Sequence, residues 1–143
     1  MFIGQFKNNI DAKGRLIVPA KYRDQLDNKI IVARGLDGCL CVYPLSKWQT
    51  IENKLASLPN TKKQARAYAR MILSSACDLD FDKLGRINLP NHLCQLANLV
   101  KKCIIVGVGE YLEIWDEETW LAYNEKIDES FEDIAEELVD FEI

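Results

Sequence analysis

The segment Asp11-Ala12-Lys13-Gly14-Arg15-Leu16-Ile17-Val18-Pro19 recurs as Asp82-Lys83-Leu84-Gly85-Arg86-Ile87-Asn88-Leu89-Pro90. Asp, Gly, Arg and Pro each return after the same interval of 71 positions. A constant offset indicates internal duplication, which governs every later assignment. Asp suits the first position of a type I turn, because its carboxylate accepts backbone N–H bonds two residues on. Gly at the fourth position takes the left-handed conformation that closes a three-residue hairpin loop with a bulge. Asp11, Gly14, Asp82 and Gly85 therefore have structural roles in the turns. Arg15 and Arg86 begin the return strands, and their side chains are expected to emerge beside the two tips.

Outward from the first turn, Phe2 to Ile10 alternates at period two and predicts a strand with an apolar first half. Pro19 fits the start of a short helix running to about Gln25. Ile30–Arg34 and Cys39–Tyr43 flank Gly35-Leu36-Asp37-Gly38 as a second hairpin. Trp48, Ile51, Leu55 and Leu58 then share one helix face, ended near Pro59. Thr61-Lys62-Lys63-Gln64 reads as a capping box opening a helix to about Ser75. Ala65, Tyr68, Met71 and Ile72 are expected inward on it, with Lys62, Arg66 and Arg70 opposite. That basic stripe suits a solvated face, a DNA contact or a salt bridge to an acidic segment.

The second copy repeats this order. Cys77–Phe81 predicts a strand, Pro90 opens a short helix, and Cys103–Val106 with Tyr111–Trp115 forms a hairpin. Tyr43 and Trp115 correspond at an offset of 72, as do Trp48 and Trp120. Trp120, Tyr123 and Ile127 line the following helix. Ser130 is placed to cap a last, acidic one with Phe131, Ile134, Leu138 and Phe141 on one face.

At 143 residues the chain is long enough for one domain, and half-sized units would each be marginal alone, which favours a merged core. Hydrophobic content of 48% and charged content of 28% are those of a globular protein. No apolar run approaches a membrane span and no signal-peptide pattern opens the chain, so a cytoplasmic location is expected. The net charge of −4 conceals a division. Residues 1–109 carry 17 Lys/Arg against 8 Asp/Glu, a balance of +9, whereas residues 110–143 hold Lys126 against 14 acids. This suits a polyanion-binding body with a segregated acidic segment, or equally two solvated faces of opposite sign.

Little points to catalysis. Asp11 and Asp82 are matched carboxylates, but each has a sufficient turn-forming role. No Ser-His or Cys-His pair with a third orienting group stands out, and Gly107-Val108-Gly109 stops short of a phosphate-loop fingerprint. The five cysteines have no disulfide-framework spacing. Cys39 and Cys41 share a strand face, but a metal site needs two more ligands, and the only histidine is His92. Buried thiols are expected, with no cofactor and no metal. The remaining pattern is basic: Lys13 and Arg15 in one copy, Lys83 and Arg86 in the other. Arginine fits phosphate or the edge of guanine bidentately, and a β-ribbon enters a major groove without a recognition helix. Pairing of Arg15 and Arg86 with Asp11 and Asp82 is the structural alternative.

The two Asp-x-x-Gly-Arg segments with their prolines resemble the bacterial MraZ family, together with Met1-Phe2-Ile3-Gly4, Ala20-Lys21-Tyr22-Arg23 and Gly107-Val108-Gly109-Glu110-Tyr111-Leu112-Glu113-Ile114-Trp115-Asp116. The likeness covers Met1 to about Ile127. It implies an α+β fold of two pseudo-two-fold-related swapped-hairpin units, like that of the AbrB and SpoVT regulators, closed into a barrel with flanking helices. The expected division is a first repeat over 1–59, a basic linker helix over 60–75, a second repeat over 76–128 and an acidic helix or tail over 129–143.

The resemblance also implies a ring-shaped homo-oligomer that binds double-stranded DNA in the nucleoid. Such a ring acts on short direct repeats in the promoter of its own operon, a cluster of cell-division and cell-wall genes. Arg15 and Arg86 are then the main contacts, Lys13 and Lys83 neutralise phosphates, and Lys7, Lys21 and Arg23 are secondary candidates. No membrane and no small-molecule ligand are expected. Leu84 stands where a more polar tip residue is expected, so the two tips contribute unequally. The competing expectation is a ring that binds a protein partner through the acidic C-terminal helix.

Overall fold

In the computed structural model, which describes residues 1–142, each copy contributes four strands. The first supplies β1 (Gln5–Asn9), β2 (Arg15–Ile17), β3 (Lys29–Arg34) and β4 (Leu40–Pro44). The second supplies β5 (Cys77–Asp80), β6 (Arg86–Asn88), β7 (Lys102–Gly107) and β8 (Leu112–Asp116). Helices α1 (Ala20–Arg23), α2 (Leu45–Ala56) and α3 (Lys63–Ser75) belong to the first half. Helices α4 (Asn91–Leu96), α5 (Glu117–Asp128) and α6 (Phe131–Glu137) follow in the second. The fold is α+β, with antiparallel pairing between the strands.

Neither copy assembles its sheet alone. The six-stranded sheet runs β1-β7-β8-β4-β3-β5, and β2 pairs with β6 as a separate ribbon. β1 thus lies on the second copy's hairpin, Gln5 opposite Val106, and β5 on the first copy's, Ile30 opposite Leu79. The central seam is β4 against β8. Period-two alternation explains the layering. Ile30, Val32, Leu40, Val42, Cys103, Ile105, Leu112 and Ile114 point to one side. There they meet Leu16, Val18, Ile87 and Leu89 in a single core drawn from both copies. The other sheet face is covered in two patches: Trp48, Leu55 and Ile72 over Ile31 and Ala33, and Trp120 and Tyr123 beside Ile104 and Trp115. Each fully buried aliphatic side chain contributes about 1.5–3 kcal/mol, so dividing the chain between the copies would expose most of what stabilises it.

Several local expectations are corrected. Pro19 and Pro90 precede their helices as caps rather than occupying the first helical position, and α1 is shorter than expected. The capping box at Thr61 does not form. The Lys62 N–H bonds the Pro59 carbonyl in a turn, so α3 starts at Lys63 without a side-chain cap. On α3 the inward line is half-buried Ala65 and Ala69 with buried Ile72 and Ser75, while Tyr68 and Met71 are exposed. Small residues let the helix lie close on β3, and Ser75 Oγ accepts the Arg34 N–H at 2.9 Å. Leu58 is exposed at the end of α2. Ser130 does not cap α6, because its hydroxyl donates to the Ile127 carbonyl of α5. On α6 and the turn beyond it only Ile134 is half-buried, whereas Phe131, Leu138 and Phe141 are exposed. Among the described residues no helix is long and apolar enough to cross a membrane.

Candidate nucleic-acid interface

The two Asp-x-x-Gly-Arg turns have nearly identical geometry. Asp11 Oδ1 accepts the N–H groups of Lys13 and Arg15, both at 2.9 Å, and Asp82 Oδ1 accepts those of Leu84 and Arg86 at the same distance. The Gly14 N–H returns to the Asp11 carbonyl and the Gly85 N–H to the Asp82 carbonyl, both at 3.0 Å. Gly14 has φ +83° and Gly85 φ +76°, a region that any side chain makes costly. The backbone N–H bonds from Arg15 and Arg86 are the largest cause holding the Asp11 and Asp82 carboxyls below their usual range. Desolvation opposes this, and the arginine side chains add to it.

Those side chains complete each turn. Arg15 Nε donates to Asp11 Oδ2 at 2.6 Å, and Arg86 Nε donates to Asp82 Oδ2 at 2.7 Å. Of the two roles open from the sequence, ion pairing within the turn is therefore present. It uses only one edge of the guanidinium. A guanidinium has five N–H donors, and the Nη groups of both arginines make no hydrogen bond among the described residues.

Strand register joins the turns into one surface. β2 and β6 pair Arg15 with Asn88, Leu16 with Ile87 and Ile17 with Arg86. Leu16 and Ile87 are buried beneath, so Arg15, Ile17, Arg86 and Asn88 share the outward face. The Gly14 carbonyl accepts the Leu89 N–H and the Gly85 carbonyl accepts the Val18 N–H, placing the tips at opposite ends of the ribbon. The arginines are therefore diagonal neighbours on one ribbon, where such positions lie ~7–8 Å apart, rather than two separate prongs. Lys13 and Lys83 are both exposed, but they are not equivalent: at the 71-residue offset Lys13 corresponds to Leu84, and Lys83 to Ala12.

The secondary candidates are already engaged. Lys7 pairs with Glu117 at 3.1 Å. The Lys21 ammonium lies over the Phe6 ring at 6.0 Å. Arg23 Nε donates to the Val18 carbonyl at 2.8 Å, and its guanidinium lies against Gly85. In the α3 stripe, Arg66 donates to the Asn60 carbonyl at 2.9 Å. None of Lys62, Arg66 and Arg70 forms a salt bridge among the described residues. Sequence reasoning missed Ile17 and Asn88, although buried Leu16 and Ile87 between them and the arginines carry the period-two signal. It also missed the Arg23–Gly85 contact. That contact joins the two copies, and nothing local to either residue announces it.

A family profile described as "MraZ protein, putative antitoxin-like" matches residues 1–71 and again residues 72–142, one match for each copy. The chain belongs to the MraZ family.

Proposed function

We propose that the protein is a sequence-specific DNA-binding transcriptional regulator and not an enzyme. It binds short direct repeats in the promoter of its own operon, a cell-division and cell-wall gene cluster, in the cytoplasm and nucleoid. The observation that carries this reading is the outward face of the β2–β6 ribbon. It presents one arginine from each copy, each held in place by an aspartate on its Nε side with its Nη edge free. A two-stranded ribbon fits a major groove, and a pre-oriented guanidinium recognises guanine O6/N7 or a phosphate with little ordering cost. Asn88 and Ile17 lie beside the arginines, suited to a base edge and a thymine methyl. Lys13 and Lys83 at the two ends neutralise phosphates. The antitoxin-like description of the family is consistent with a regulator.

The mutual pairing of β1 with β7 and β5 with β3 supports a swapped-hairpin barrel of the AbrB type within one chain. Assembly of several copies into a ring would place several ribbons on one DNA. Linked weak modules then gain avidity, so repeated sites bind far better than single ones. The test is a titration of DNA from upstream of the gene at several salt concentrations. Arg15→Ala/Arg86→Ala abolishes specific binding while the fold is retained. Unchanged affinity in that double variant overturns the reading.

A second reading has its own observation. Phe131, Val139 and Phe141 are 61%, 67% and 71% exposed on an otherwise acidic C-terminal segment. These residues suit an assembly module that binds a protein partner there. Removal of residues 130–143 abolishes partner binding on this reading and leaves DNA affinity intact on the first.

A further inference from the structure

Cys39, Cys41 and Glu113 converge across the seam between the copies. β4 and β8 are neighbours, and Cys41 stands directly opposite Glu113. The two Sγ atoms and a carboxylate oxygen of Glu113 lie within 4.8 Å of one another. Both cysteines are buried. Gly35 makes room for them: a Cβ there would lie 2.8 Å from Cys39 Sγ and 2.9 Å from Cys41 Sγ. Glu113 is oriented as well, since the indole N–H of buried Trp115 donates to its Oε1 at 3.0 Å. Outer hydrogen bonds of this kind orient metal-ligating carboxylates. In sequence the Cys-x-Cys pair lacks further ligands. The third donor comes from the second copy and becomes visible only with the β4–β8 register.

We propose that Cys39, Cys41 and Glu113 form a binding site for a thiophilic divalent cation of the Zn2+ class, completed by one water. Thiolates select such ions over Mg2+ or Ca2+. With Zn–S near 2.3 Å and Zn–O near 2.0–2.2 Å, the donors of a tetrahedral site lie roughly 3.5–3.8 Å apart. Side-chain adjustment of about 1 Å therefore closes this one. Each ion displaces one proton from each thiol and releases both to solvent. Affinity consequently rises with pH. The ion would link the first copy's hairpin to the second's, stabilising the folded chain by mass action.

The test uses the reduced full-length chain with Co2+ as a spectroscopic probe and Zn2+ as competitor. One Co2+ binds per chain with a thiolate-to-metal charge-transfer band, Zn2+ displaces it, and Zn2+ raises Tm. Cys39→Ser and Cys41→Ser each diminish the band, and the double variant loses it. Cys77→Ser and Cys94→Ser leave it unchanged. Gly35→Ala retains every donor yet weakens binding at least tenfold, because the methyl group displaces the sulfurs. Absence of the band in the unaltered chain, or its full strength in the double variant, overturns the site. If the double variant does not fold, Glu113→Gln decides, since it keeps both thiols: unchanged Co2+ affinity there overturns the site, and a tenfold or greater loss supports it.

Discussion

At the first turn Gly14 lies against the Leu89 carbonyl, and at the second Gly85 lies against the Arg23 guanidinium. The bonds within the turns are the same to within 0.1 Å. What differs is the surface each meets in the other copy. At the 71-residue offset Arg23 corresponds to Cys94. Cys94 helps line a cavity of about 210 Å3 beside Asp11, Lys13 and Gly14, whereas the long side chain of Arg23 occupies the corresponding place beside Gly85. Local sequence therefore sets the Asp–Gly–Arg geometry, while divergence elsewhere in the duplication sets how each tip is supported. One tip has open space and Lys13 on its crest. The other has an arginine behind it and Leu84, 65% exposed, on its crest.

The largest difference is expected in stability. Gly14→Ala places a methyl group against a backbone carbonyl that the ribbon holds fixed, at positive φ. Gly85→Ala has the same backbone conformation but meets the end of a flexible side chain. Left-handed backbone costs a non-glycine residue about 1–3 kcal/mol. Gly85→Ala should fall near the low end, at about 1–2 kcal/mol. Gly14→Ala should reach about 3 kcal/mol or more, because the steric conflict adds to the strain. Urea denaturation of both variants measures this. Equal losses would mean that the Arg23 contact is as rigid as the backbone one.

Next in size is recognition. On the proposed function each arginine makes one bidentate contact, worth about 1–3 kcal/mol of discrimination. The Arg15 side chain is 36% exposed and the Arg86 side chain 27%. Lys13 also flanks the first turn where Leu84 occupies the second. Arg15→Ala should therefore weaken specific DNA binding more than Arg86→Ala. The reverse order in a fluorescence-anisotropy titration would place the principal contact at the second end of the ribbon.

A smaller effect separates phosphate contacts from base contacts. Each neutralised phosphate contributes about 0.9 to the slope of log affinity against log salt on duplex DNA. Lys13→Leu should reduce that slope by about 0.9, and Leu84→Lys should raise it by about 0.9, placing a lysine at the same position of both tips. Insensitivity to both changes would put the phosphate contacts on other residues.

Much of this comparison was legible in the sequence, and the missing part has one physical cause. The turns, the hairpins and the inward line of α5 follow from residues near each other in the chain, through turn chemistry and periodicity. The pairings β1–β7, β5–β3, β2–β6 and β4–β8 join distant segments, so no local pattern reports them. Three consequences were accordingly hidden: the arginines share one ribbon, Arg23 backs Gly85, and Glu113 faces Cys41. The outward placement of Tyr68 and Met71 has a related cause. Hydrophobic size favoured Tyr68 and Met71, but close packing of α3 on β3 selects Ala69 and Ser75 beside Ala65 and Ile72, which were expected inward. The local Arg15–Asp11 pair was within reach of sequence reasoning, which left it open beside DNA contact. The structure makes the two compatible by giving each a different edge of the guanidinium.

The smallest predicted effect tests whether the turns are as alike as their bonds. Both carboxyls are held below their usual value, chiefly by the arginine backbone N–H groups. A depressed native value means that the unfolded chain binds protons first as pH falls. The stabilisation is thus complete above the ordinary aspartate value of about 3.9 and is lost as pH falls through the lower native one. Asp11→Asn and Asp82→Asn should each lower stability at neutral pH and flatten the fall of Tm below about pH 4. Because each carboxylate accepts the same three bonds, the two variants should flatten it equally. A larger change for Asp82→Asn would mean that the Arg23 cation beside Gly85 also acts on that carboxylate, extending the asymmetry from the glycine to the charge.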